Sequence, residues 1–219
     1  MLKAAIVYVQ GSGGNLLSRT LSLSEKTVAY LPAEYSQHQP HLKLSAQQRF
    51  LLYNNWNPVD WPSTENALRI WYHAGLQDFV NYENSNLWLI DHFHPAMFKF
   101  ESDRKLLWDN INLWEQLIFI KYQSSSIELI KHLAKIKRPD LDSVYQLEQT
   151  ELETFDKLQT DYQANIVNWE HMLEKDSYVD VIHQLSQKLD LDLNLTLVVK
   201  LWQSWKTATD KLLNERHRI

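Results

Sequence analysis

Two groups of residues in this chain have the types and spacing to do chemistry. The first is a glycine loop, Gly11-Ser12-Gly13-Gly14, which holds three of the four glycines in the sequence. Glycine is used where the backbone turns with positive φ or approaches a ligand with no side chain between them. The second is the pair His92 and His94. A histidine can exchange a proton near neutral pH because its unperturbed pKa is about 6.5.

The glycine loop follows a predicted strand and precedes a predicted helix. The run Ala4–Val9 is apolar and continuous, which is typical of a strand covered on both faces. From Asn15 onward, leucines recur at helical spacing. Such a unit aims free backbone N–H groups at one point, where the helix dipole adds positive potential. The pattern therefore predicts an anion site formed by Gly11, Ser12, Gly13, Gly14, Asn15 and Leu16.

Other segments repeat the order of strand and helix. Leu87–Asp91 is a short apolar strand closed by His92, His94 and Pro95. Leu117–Tyr122 is another predicted strand, and the helix over Ile127–Ile136 after it is predicted to begin at a serine cap. Strands separated by helices indicate crossover connections, so we predict an α/β fold with a mainly parallel sheet between two helical layers. A weaker strand is predicted at Asn165–Trp169, and helices at Leu141–Gln163, Ser177–Leu189 and Leu195–Asn214.

Composition and charge favour one globular domain over residues 1–219. Apolar residues make up 44% and charged residues 22% of the chain, which is close to ordinary globular values. Residues 35–86 are polar and rich in tryptophan and proline, and we interpret them as an insertion of irregular helices and loops that forms a substrate wall or packs over the sheet. The net charge of −5 argues against a nucleic-acid partner. Cysteine is absent and no run approaches the roughly 20 apolar residues of a membrane span, so we expect a cytoplasmic protein.

Taken in order, these segments resemble the sulfotransferases, a family with a P-loop-like fold. "IVYVQGSGGNLLSRTL" resembles the family's phosphosulfate loop, and "LIDHFHPAMF" resembles its Lys-Thr-His-x-Pro-like segment. "LIFIKYQSSSIELIKHLAKIK" is similar to the unit that binds the cofactor's 3′-phosphate. "IVNWEHMLEKDSYVDVIHQLSQKLDL" resembles the late strand and helix, with Glu170 at the position of an acidic residue that supports the fold.

This resemblance implies a function, a cofactor and site residues. It implies sulfuryl transfer from phosphoadenosine phosphosulfate, without a metal, to a hydroxyl of a carbohydrate or small metabolite. The glycine loop and Arg19 would hold the phosphosulfate, and His92 or His94 would be the base. The 3′-phosphate would be held by Lys121, Ser124, Ser125 and Ser126.

The chain departs from the family pattern at several positions, which leaves alternatives open. The loop has no lysine, and the nearest polar side chains are those of Ser12, Asn15, Ser18 and Arg19. Phe93 stands where the family has its base. One alternative is a member of the same fold that binds a nucleotide or another anion without catalysis. Another is a kinase-like enzyme that uses Asp91 and magnesium, and a turn that binds nothing is a third. The sequence also leaves open whether the protein forms a homo-oligomer.

Overall fold

The computed structural model describes residues 2–8, 11–27, 44–54, 88–93, 115–137 and 165–215 of the chain. Within these ranges, four strands form one parallel sheet with the spatial order β2-β1-β3-β4. The parallel sheet with helices packed against it confirms the predicted α/β class. The strands are β1 (Leu2–Val7), β2 (Trp88–Phe93), β3 (Gln116–Lys121) and β4 (Asn165–Asn168).

Six α-helices accompany the sheet in the described part of the chain. The last of them confirms the predicted C-terminal helix almost to the residue, but the helix predicted at Ser177–Leu189 begins earlier and follows a short helix that the sequence did not predict. The helix predicted at Leu141–Gln163 and most of the predicted insertion lie outside the described residues. The helices are α1 (Gly14–Leu21), α2 (Ala46–Tyr53), α3 (Ile127–Lys137), α4 (Trp169–Leu173), α5 (Lys175–Lys188) and α6 (Leu195–Glu215).

The register of the sheet corrects the predicted end of the second strand. We predicted that this strand ends at Asp91 and that His92 lies beyond it. Instead β2 runs to Phe93, because its backbone pairs with β1 as far as Val7. The Cα of His92 pairs with that of Ile6, so His92 lies inside the strand, and His94 is outside the described residues.

Both faces of the central strands are buried, as a continuous apolar pattern predicts. On the first face, alternate residues of β1, β3 and β4 join a core that also contains α1, α5 and α6. Val7, Leu117 and Phe119 of the opposite face are buried as well. The sheet residues in the first core are Ala4, Ile6, Ile118, Ile120 and Val167.

A buried hydrogen bond fixes α1 against α5. The hydroxyl oxygens of Thr20 and Tyr178 lie 2.6 Å apart, and both side chains are fully buried. Burial raises the pKa of Tyr178, so the phenol stays protonated and the two hydroxyls can share a hydrogen bond. The helix that begins at the glycine loop is therefore held in place by both apolar packing and a specific polar contact.

The buried side chain of Arg49 joins α2 to the end of α1. Its Nη1 donates to the carbonyl oxygens of Ser22 and Thr27 and to the Thr27 hydroxyl, and its Nε donates to the carbonyl of Leu44. Desolvation lowers the pKa of Arg49, while the carbonyl end of α1 offers partial negative charge to the cation. A capping box formed by Ser45 and Gln48 defines where α2 begins.

The contact between Thr20 and Tyr178 can be tested with a double-mutant cycle. We expect Thr20→Val and Tyr178→Phe each to lower the free energy of unfolding by about 1–2 kcal/mol, because each leaves a buried hydroxyl without its partner. The double variant should lose less than the sum of the two, since no unsatisfied group remains. Urea unfolding of the four proteins measures the coupling. Additive losses would contradict a direct hydrogen bond between the two side chains.

Candidate functional site

The glycine loop turns sharply into α1. Gly11 has φ 93° and Gly13, the residue before the helix, has φ 81°. L-residues with a side chain rarely adopt these backbone angles, so glycine is favoured at both positions. The first hydrogen bond of the helix runs from the N–H of Leu17 to the carbonyl of Gly13, at 3.2 Å.

Close packing also requires glycine at positions 13 and 14. A Cβ at Gly13 would lie 3.0 Å from the terminal methyl of Met172 and 3.6 Å from the ring of Trp205. A Cβ at Gly14 would lie 2.2 Å from the ring of Tyr8. These contacts account for both glycines without a ligand. A bulky substitution here would disturb the core, so it cannot serve as a specific test of binding.

The backbone donors of the first turn of α1 are not used by the contacts that pack the glycine loop. Within the described part of the chain, the N–H groups of Gly14, Asn15 and Leu16 have no hydrogen-bond acceptor. They precede the first intrahelical bond and point along the helix axis, where the dipole is positive. Residues 11–14 are buried and Asn15 is half-buried. Leu16, also predicted for this site, contributes its backbone, because its side chain lies in the core.

The polar side chains near the loop have distinct surroundings. Ser12 is buried and engaged in an interaction. The Ser18 hydroxyl is buried, and no partner for it exists among the described residues. Arg19, predicted to hold the phosphosulfate, lies in the last turn of α1, where its Nη1 donates to the carbonyl of Tyr53 at 2.9 Å.

The turn after β3 is organised by a carboxylate from a later part of the chain. One oxygen of Glu170, in α4, accepts hydrogen bonds from the N–H of Gln123 at 2.8 Å and from the hydroxyl of Ser126 at 2.6 Å. The predicted serine cap of the helix was wrong. Ser124–Ser126 form a 3₁₀ turn that runs into α3, and its cap residue Gln123 makes no side-chain capping bond. The capping acceptor is Glu170 instead.

The remaining residues predicted for the 3′-phosphate lie around this turn. Lys121 is the last residue of β3, half-buried and engaged in an interaction. Ser124 and Ser125 are exposed, whereas Ser126 is buried against Glu170. The structure therefore leaves Ser124 and Ser125 accessible and uses Ser126 internally.

Glu170 is stabilised in its charged form. Partial burial raises the pKa of its carboxyl group, but the hydrogen bonds from Gln123 and Ser126 favour the carboxylate and outweigh burial, so the pKa lies below its usual value. Glu170 thus ties the end of β4 to the turn after β3, in agreement with the supporting role that the resemblance implied.

The glycine loop and the Gln123–Ser126 turn lie at the same edge of the sheet. They follow β1 and β3, which are adjacent and parallel. The second strand, β2, lies on one side of β1, and the next two strands, β3 and β4, lie on its other side. The direction in which strands are added therefore reverses between β1 and β3. In open α/β sheets, ligands bind beyond the carboxyl ends of the strands at such a reversal.

Neither a cluster of metal ligands nor a membrane-spanning helix occurs in the described ranges. Across residues 2–8, 11–27, 44–54, 88–93, 115–137 and 165–215, no three histidine, aspartate or glutamate side chains are grouped to hold a metal ion. None of the helices described there combines the length and apolar character needed to cross a bilayer.

Sequence reasoning missed two features of this edge. The first is α4, whose Met172 contacts the glycine loop and whose Glu170 holds the neighbouring turn. The second is the indole N–H of Trp169, which is buried without a hydrogen-bond partner. A buried donor left unpaired costs about 1–3 kcal/mol, so it calls for an explanation. The sequence signal was that a tryptophan and a glutamate directly follow a strand.

Comparisons of this chain with protein-family models, with curated proteins and with solved structures found no match.

The role of Glu170 predicts both a loss of stability and its pH dependence. We expect Glu170→Ala to lower the free energy of unfolding at pH 7 by about 1–2 kcal/mol, because two hydrogen bonds to a carboxylate are lost. The folded-state pKa is depressed, so this contribution is present above the unfolded pKa of about 4.3 and is lost as pH falls through the folded value. Urea unfolding between pH 7 and pH 3 measures both effects.

Glu128→Ala is the matched control, because the Glu128 carboxylate is exposed and pairs with Lys131 at the surface. Its effect should stay within about 0.5 kcal/mol. Equal losses in the two variants would rule out a special role for Glu170.

Proposed function

We propose that the edge formed by the glycine loop and the Gln123–Ser126 turn binds an anionic, phosphate-type ligand. The three N–H groups of Gly14, Asn15 and Leu16 carry the proposal: they have no acceptor in the described part of the chain and lie where the strand order reverses. Backbone donors at the positive end of a helix suit an anion, because they supply hydrogen bonds and potential together.

The specific function that we propose is sulfuryl transfer from phosphoadenosine phosphosulfate to a hydroxyl of a carbohydrate or small metabolite. The acceptor oxygen attacks sulfur, its proton passes to a base, and the bond from sulfur to the bridging oxygen breaks. The diphosphate leaves with negative charge on that oxygen. Amides at the start of α1 would stabilise this charge as it develops.

His92 is the proposed base of this reaction. Its backbone lies in β2 beside Ile6, one residue before the end of the paired segment that leads toward the glycine loop. Lys121 and the exposed hydroxyls of Ser124 and Ser125 are the proposed contacts to a second phosphate, because they lie at the end of the adjacent strand β3.

A second candidate is binding of a nucleotide or another anion without transfer. Two observations favour it: the Arg19 guanidinium donates to the carbonyl of Tyr53, and the Ser126 hydroxyl donates to Glu170. The loop also lacks a lysine that could neutralise the charge of the leaving group. This candidate shares the anion site and differs only in turnover.

Glycine amide signals give a direct test of binding, because the chain has only four glycines. The residue before each glycine is of a different type, so selective labelling can assign the four signals. In a protein with ¹⁵N-glycine, a ¹³C-carbonyl label on serine identifies the Gly13 amide, and the same label on glycine identifies the Gly14 amide. We expect metal-free 3′,5′-diphosphoadenosine to shift the Gly14 signal saturably. Adenosine at the same concentration is the control without an anion.

The same titration separates the alternatives. An unmoved Gly14 amide at millimolar diphosphate would overturn the anion site. If the Gly14 signal shifts with ATP and magnesium but not with 3′,5′-diphosphoadenosine, a kinase-like protein is favoured. A shift with the diphosphate, but no sulfate transfer to a panel of hydroxylated acceptors, would favour binding without catalysis.

Where transfer is observed, the proposed base can be tested by substitution. We expect His92→Ala to lower the transfer rate by a factor of about 10²–10⁴, the usual contribution of a general base, with the diphosphate Kd unchanged. His94→Ala tests the other histidine of the pair. His183→Ala is the control, because His183 is exposed on α5 and its ring contacts Gln187. If neither His92→Ala nor His94→Ala slows transfer, the base is elsewhere.

A further inference from the structure

The indole N–H of Trp169 is a buried donor without a partner. Trp169 is 1% exposed, and its Nε1 has no hydrogen-bond acceptor among the described residues. The nearby indole of Trp202 shows the usual arrangement, since its Nε1 donates to the carbonyl of Met172 at 2.8 Å. Because an indole can only donate, an acceptor oxygen from a bound molecule would satisfy the Trp169 nitrogen.

The side of α4 that carries Trp169 faces the glycine loop. Trp169 and Met172 are three residues apart in one helical turn, so they lie on the same face of α4. The terminal methyl of Met172 lies against the Cα of Gly13. Trp169 also follows directly after Asn168, the last residue of β4, which places it at the same sheet edge as the loop.

Two sets of unpaired donors therefore lie on the same side of the fold. The first turn of α1 contributes the N–H groups of Gly14, Asn15 and Leu16, and α4 contributes the indole of Trp169. No carboxylate or carbonyl of the described residues accepts a hydrogen bond from any of these donors. A group that offers acceptors only, such as the oxygens of a phosphate or sulfate, matches this set.

We propose that Trp169 is a further binding residue of this edge, and that its indole N–H donates to an oxygen of the anion held by the first turn of α1. This inference rests on the proposed anion site. It adds a neutral, directional donor to a loop that lacks a lysine. The donor comes from the part of the chain after β4 and thereby makes α4 part of the site.

The test follows the indole signal and the Gly14 amide in the same titration. The chain has nine tryptophans, so ¹⁵N-indole labelling gives nine side-chain signals. Trp169→Phe and Trp169→Tyr each identify the signal of interest by its loss. Inorganic pyrophosphate and 3′,5′-diphosphoadenosine are the probes. We expect the Trp169 indole proton to move downfield along the same isotherm as Gly14, while the Trp202 indole, already bonded to Met172, stays in place.

The outcomes separate this inference from the proposed function. A Gly14 shift with an unmoved Trp169 indole would overturn the role of Trp169 and leave the anion site standing. If neither signal moves, both proposals fall.

Affinity gives a second readout. We expect Trp169→Phe to weaken pyrophosphate binding roughly tenfold, the effect of losing one hydrogen bond to a charged acceptor. Trp202→Phe is the matched control, because its indole is bonded inside the protein, and it should change the Kd less than threefold. Equal weakening in both variants would mean that Trp169 acts only through the packing of α4.

Discussion

Three large side chains pack directly against two glycines, and this packing sets the geometry of the candidate site. Tyr8 lies against Gly14, and Met172 and Trp205 lie against Gly13. These contacts seat the start of α1 directly on the end of β1 and close to the two C-terminal elements α4 and α6. A Cβ at Gly14 would collide with the ring of Tyr8 at 2.2 Å, and a Cβ at Gly13 would require the Met172 methyl to move and a strained positive φ. The direction of the α1 amides is therefore a result of core packing.

One carboxylate links this geometry to the neighbouring strand. Glu170 belongs to the same short helix as Met172, so α4 touches both the glycine loop and the turn after β3. The long helix α6 also contacts α4, because the indole of Trp202 donates to the carbonyl of Met172. The candidate site thus draws on the ends of β1, β3 and β4.

The sequence predicted the parts of the fold that follow from local pattern. Continuous apolar runs identified β1 and β3, a weaker candidate at Asn165–Trp169 corresponds to β4, and apolar spacing identified α6 nearly to its ends. The prediction was wrong where long-range contacts decide the outcome. His92 lies inside β2 because that strand pairs with β1 as far as Val7. The turn after β3 is capped by Glu170, which lies 44 residues away from Ser126 in the chain. The unpaired Trp169 indole depends on the absence of a neighbour, which no local pattern encodes. The acceptor site stays a prediction, because most of residues 35–86 lies outside the described chain.

The hydrogen bonds of the buried Arg49 guanidinium and those of the Glu170 carboxylate respond differently to acid. Arg49 is bound by carbonyl and hydroxyl oxygens, none of which titrates near neutral pH, and arginine itself stays charged throughout. These particular hydrogen bonds of Arg49 are therefore independent of acidification. The contact between α4 and the turn after β3 depends on an ionised glutamate and has no such protection. Acid would accordingly weaken the link between α4 and the turn after β3, while the hydrogen bonds of the Arg49 guanidinium keep their strength.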